Sequence, residues 1–180
     1  MSSELNLLDH DWYGEGVPGK PQWALGIKDG FLTLRGMANK PPACIAEDRE
    51  GRFVEGLWEG DVLELFLANP KTGFYVEFNL GPCGAWWCCT FDSPRVRASA
   101  PEPFKGVTAR AKPTEAAWDS TLTIPLRSLP PSLAFDPDIT KGNITFCLGK
   151  PQQFVTLADL GGGTPDFHRP DKWITLNKML

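Results

Sequence analysis

Residues 56–87 read GLWEGDVLELFLANPKTGFYVEFNLGPCGAWW, and their patterning decides the fold. Residues 62–68 and 74–80 are two short runs rich in β-branched, aromatic and leucine side chains. Asn69-Pro-Lys-Thr-Gly73 supplies turn residues between them, so the pair reads as a hairpin with a five-residue loop. Successive side chains of a strand alternate between its faces. Phe74, Val76, Phe78 and Leu80 therefore point one way, and Tyr75, Glu77 and Asn79 the other. In the first run Leu63, Leu65 and Leu67 share a face, leaving Val62, Glu64 and Phe66 opposite. One face of the sheet is apolar. The other gathers Glu64, Tyr75, Glu77 and Asn79 in neighbouring positions, with Trp58 at the entrance, a set suited to binding.

The rest of the chain repeats this grammar. Seventeen prolines and eighteen glycines punctuate it, and no apolar pattern of helical period persists for three turns. Short runs separated by turn signals predict an all-β fold, a two-sheet antiparallel β-sandwich of jelly-roll or immunoglobulin-like type in a single domain. A polar arm over residues 1–20, docked through Trp12 and Tyr13, precedes a body over residues 21–180. Further strands are predicted at 22–27 and 31–36, flanking the Asp29-Gly30 turn. Others are expected at 43–46, 85–91, 107–112, 116–124, 143–149, 153–157 and 173–176. Pro125 is expected to start a single helical turn, and residues 96–103 and 160–171 read as loops.

With 180 residues the chain is long enough for one substantial core. Its net charge of −4, without a basic run, argues against nucleic acid or an anionic membrane surface as the partner. No stretch approaches the roughly 18 apolar residues of a membrane span, and the N-terminal MSSELNLLDHDWYG lacks a signal pattern. Five cysteines, an odd number, fit reduced thiols better than a disulfide framework. Together these features predict a soluble, cytoplasmic protein. Cys88 and Cys89 point to opposite faces, as do Trp86 and Trp87, of which one is expected in the core and the other at the surface.

Three segments in order resemble the family 9 carbohydrate-binding modules and their stand-alone relatives, within a wider group of DOMON-like β-sandwich domains that bind sugars or haem. They are Trp58-Glu-Gly-Asp61-Val-Leu-Glu64-Leu-Phe-Leu, the AAWDSTLTIPLRSL stretch from residue 116, and Asp166-Phe-His-Arg-Pro170-Asp-Lys-Trp173. The resemblance implies a non-catalytic protein that holds a mono- or oligosaccharide between two aromatic side chains. Trp58 matches one of these, and Phe167 falls nearest the other with His168 beside it. Glu64 matches a carboxylate, and Asn79 an amide, that contact sugar hydroxyls. Glu77 departs from the pattern, standing where the family's sugar-binding modules carry arginine. The resemblance also allows calcium on acidic loops, which no motif here locates; no other cofactor is implied.

Aromatic platforms beside fixed carboxylates and amides suit a ligand with C–H faces and hydroxyl rims. Each side chain also has a plainer reading. Trp58 suits a packed loop, Glu64 a turn hydrogen bond, and Glu77 and Asn79 a solvated face. His168 and Arg169 line the slot, or Arg169 pairs with Asp166 or Asp61 and fixes its loop. Rival functions are a protein-interaction module, glycoside hydrolysis by Glu64 and Glu77, and a haem sensor ligated by His10, His168 or a methionine. No CxxCH, HExxH or phosphate-loop motif supports the enzymatic or haem readings.

Overall fold

The computed structural model describes residues 4–180. Among the described residues, twelve strands form two antiparallel sheets. The first holds β1 (Asn6–Leu7), β2 (Gln22–Lys28), β3 (Phe31–Ala38), β8 (Thr108–Ala111) and β9 (Trp118–Pro125), in the order β1-β2-β3-β9-β8. The second holds β4 (Val62–Ala68), β5 (Tyr75–Leu80), β6 (Trp86–Ser93), β7 (Val96–Arg97), β10 (Lys141–Leu148) and β11 (Gln153–Thr156). Its order is β11-β10-β4-β5-β6-β7, and β12 (Ile174–Thr175) extends it beside the start of β10.

Alternation sorts the second sheet as its sequence predicts. Leu63, Leu65, Leu67, Val76, Phe78 and Leu80 face the first sheet and meet Leu32, Leu34, Leu122 and Ile124 in a continuous core. The sheets approach closely at Gly36, where a Cβ would stand 2.4 Å from Leu63 Cδ2. Asp29 (φ 51°) and Gly30 (φ 81°) turn β2 into β3, the left-handed pair that a tight hairpin requires.

The opposite face of this sheet is not open to solvent. Leu57, Phe66, Tyr75, Trp87, Phe91, Phe167 and Trp173 form a second apolar cluster there. The segments around residues 53–58 and 154–173 roof it, so every residue of β4 and β5 is buried. Cys88 joins the inter-sheet core and Cys89 the roofed cluster, as their adjacency requires. Trp86 and Trp87 diverge likewise, but the surface position expected for one of them is absent, because the roof buries Trp87 to 1% exposure.

Three local readings are corrected. Residues 43–46 form a loop rather than a strand, because the Asp61 carboxylate accepts the Ala43 amide and draws the chain off any sheet. Residues 96–103 are not all loop, since Val96–Arg97 pairs with the end of β6 after a turn in which Arg95 takes φ 63°. The arm is partly woven into the fold through β1, and Trp12 docks it while Tyr13 stays exposed. The helical turn occurs at Leu126–Ser128, directly after Pro125.

Candidate functional site

The polar residues of the roofed face lie over the centre of the second sheet. Glu64 on β4 sits opposite Asn79 on β5 and Thr145 on β10, and Glu77 on β5 sits opposite Phe66 and Cys89. Glu64 and Glu77 are therefore diagonal neighbours on one face. Above them the roof leaves a cavity of about 330 Å³. Trp58, Trp87, Phe154 and Phe167 supply aromatic walls, Glu64 and Glu77 the floor, and Arg95, Arg97, Asp166 and His168 the rim. Trp58 is held edge-on to Trp87, with ring centroids 5.3 Å apart. Trp12 and Phe154 back Phe167 at 6.0 and 6.1 Å.

Burial governs the charges here. It pushes the Glu64 carboxyl up to about 7, although Thr145 donates a 2.7 Å hydrogen bond to it. Burial, and then the charge of Glu64, push Glu77 up to about 8. Two adjacent buried carboxyls resist double ionisation, so near neutrality the pair offers both an O–H donor and carboxylate acceptors. Burial, and then the charge of Arg95, pull His168 down to about 4, leaving its imidazole neutral. The Tyr75 hydroxyl accepts the Arg95 amide at 3.0 Å and shares a 2.7 Å hydrogen bond with His168 Nδ1. The other ring nitrogen, Nε2, lies 3.8 Å from Glu77 Oε2.

The guanidinium groups at the rim already have partners. Arg95 donates to Asp166 at 2.8 Å, and Arg97 pairs with Glu55 while lying 5.5 Å from the centre of the Trp87 ring. Both guanidinium groups come from the β6–β7 connection and β7 itself, not from position 77.

Of the predicted site residues, Trp58, Glu64, Glu77, Phe167 and His168 line the cavity. Tyr75 lies beneath it and orients His168. Asn79 is wholly buried on the same face, opposite Glu64 and near Glu77 but not among the lining residues, and both its side-chain polar atoms lack partners among the described residues. Arg169 turns away from the cavity. Its guanidinium donates to the Leu160, Gly162 and Thr164 carbonyls and covers the Trp12 ring at 5.4 Å, fixing its loop through carbonyls rather than through Asp166 or Asp61.

Sequence reasoning missed Arg95, Arg97, Trp87 and Phe154. Alternation gives no signal for Arg95, which sits in the turn at φ 63° before the two-residue strand that carries Arg97.

Calcium calls for six to eight oxygen ligands, and the buried loop carboxylates do not fit that demand. Asp48 accepts the Cys83 and Ala85 amides at 3.1 and 2.8 Å. Asp61 accepts the Ala43 and Gly149 amides and pairs with Lys40. Among the described residues, neither stands in a cluster of oxygen ligands of the size that calcium needs.

This two-sheet sandwich is the fold of the family 9 carbohydrate-binding modules. No protein-family model and no curated protein matches the chain. Among solved structures, the chain is similar to a protein from Bacteroides uniformis ATCC 8492 whose proposed role is carbohydrate binding, with TM-score 0.73 and 17% identity over 94% of this chain and 84% of that one. It also resembles a family 9 module from Caldicellulosiruptor kristjanssonii determined in complex with glucose, with TM-score 0.58 and 11% identity over 88% of this chain and 76% of that one. The same module's cellotriose complex aligns with TM-score 0.57 over 88% and 74% of the respective chains.

Proposed function

We propose that the cavity binds a mono- or disaccharide without transforming it. One observation carries this reading: aromatic walls, a proton-sharing carboxyl pair and two guanidinium groups converge on a single cavity. At about 330 Å³ it lies near the lower end of the roughly 300–1,000 Å³ typical of ligand sites. Trp58 and Phe167 offer surfaces for the C–H faces of a sugar ring, and the carboxyl pair donates to one hydroxyl while accepting from another. The similarity to modules solved with glucose and cellotriose supports the ligand class.

A ligand that binds only the folded chain raises its melting temperature by mass action. Glucose and cellobiose at millimolar concentration are expected to raise it. Trp58→Ala and Glu64→Gln are each expected to abolish that rise. A mono- and disaccharide panel that leaves the melting temperature unmoved overturns the reading.

A further inference from the structure

Outside the cavity, three side chains with metal-binding chemistry converge at one end of the sandwich. Cys44 lies on the loop after β3, Asp48 four residues on, and Cys83 in the turn between β5 and β6. One ligand atom from each lies within 4.8 Å of the others. A tetrahedral zinc ion, with bonds of about 2.3 Å to sulfur and about 2.1 Å to oxygen, sets its ligands roughly 3.6–3.8 Å apart. Closing the trio around one ion therefore needs movements of an ångström or less.

We propose that Cys44, Asp48 and Cys83 bind a thiophilic divalent cation of the zinc class, leaving a fourth position for water.

The backbone holds the three residues in place without metal. Ala43 donates its amide to Asp61, and Asp48 donates its amide to the Ile45 carbonyl, which brackets Cys44. The Asp48 carboxylate in turn accepts the Cys83 and Ala85 amides and fixes the turn. Gly81 makes this docking possible, since a Cβ there would stand 2.4 Å from Asp48 Oδ2. The Gly51 amide bonds the Gly84 carbonyl at 2.9 Å, a second tie between loop and turn.

Asp48 is only 6% exposed, and none of the ion pairs among the described residues supplies it with a cation. A cation would give this buried carboxylate a charge partner, and two thiols release their protons to the buffer as two metal–sulfur bonds form. Two thiolates and one carboxylate favour zinc or cadmium over calcium or magnesium, which take oxygen ligands. The exposure of Cys44 gives the ion a path in.

Cadmium titrated into the reduced, chelator-treated full chain tests the site through the thiolate-to-metal ultraviolet band. The band is expected to saturate at one equivalent and to be displaced by zinc. Cys44→Ser and Cys83→Ser should each weaken binding about tenfold or more, the scale at which even indirect supports of a metal site act. Cys89→Ser, buried on the far side of β6, should leave it unchanged. The metal-free melting temperature of each variant separates loss of the site from loss of the fold. The proposal is overturned if the band fails to saturate, or if it survives in a folded double variant lacking both Cys44 and Cys83. Neither result bears on sugar binding, which uses other residues.

Discussion

Glu77 shows how a single buried side chain couples ligand chemistry to pH. Its carboxyl is held up to about 8 and that of Glu64 up to about 7, far above the roughly 4.3 of a free glutamate. The folded chain therefore keeps protons that the unfolded chain gives up. Stability should fall as pH rises through this window, because the native state binds more protons there. His168, lowered from 6.5 to about 4, acts in the opposite sense: the unfolded chain takes up its proton first, so stability rises with pH up to about 6.5. Between about pH 6.5 and 8 the carboxyls act unopposed by His168. The raised Cys44, Cys88, Cys89 and Cys147 thiols add in the same direction toward the upper end, so thermal denaturation should show a net decline. Glu77→Gln is expected to flatten that decline. A variant as steep as the parent would show that the pair does not govern it. In sugar binding the same substitution should remove the pH dependence that the carboxyl pair imposes between pH 6.5 and 8, which calorimetry at both ends of the range would read.

Among the elements, β3 and β4 set how near the two sheets lie. Gly36→Ala inserts a methyl group 2.4 Å from Leu63 Cδ2 in a filled core, an overpacking expected to cost about 1–3 kcal/mol in denaturant unfolding. A neutral result would mean that Leu63 repacks freely. The central hairpin was legible from alternation alone: the faces of β4 and β5 follow directly from Leu63, Leu65 and Leu67 against Glu64 and Phe66. The roof was not legible, because residues 154–173 carry no period. They are held by scattered bonds such as that from Trp12 Nε1 to the Gly163 carbonyl and those from Arg169 to three carbonyls. For the same reason Glu64, Glu77 and Trp58 were found from sequence, while Arg95 and Arg97, brought in by a tight turn, were not. Arg169 read as a site residue because sequence proximity to His168 says nothing about which way a loop side chain turns.

Taken as a whole, the molecule places two apolar clusters on opposite faces of one sheet, and the two should respond differently to substitution. Leu34→Ala, in the core between the sheets, is expected to cost about 2–5 kcal/mol. Trp58→Ala, at a half-buried position on the cavity wall, should alter ligand binding far more than unfolding. Parallel denaturation and binding measurements distinguish the two. The distribution of the seven tryptophans carries an optical consequence. Trp23, Trp86, Trp87, Trp118 and Trp173 are buried, whereas Trp12 and Trp58 are partly exposed. Trp58 lines the cavity, and Trp12 backs its Phe167 wall. A collisional quencher such as iodide therefore reaches fluorophores only at the site and its buttress, and the dark interior contributes a constant background. Occupancy by a sugar should shield Trp58 and lower the quenchable fraction of the emission, making the unlabelled protein its own ligand gauge.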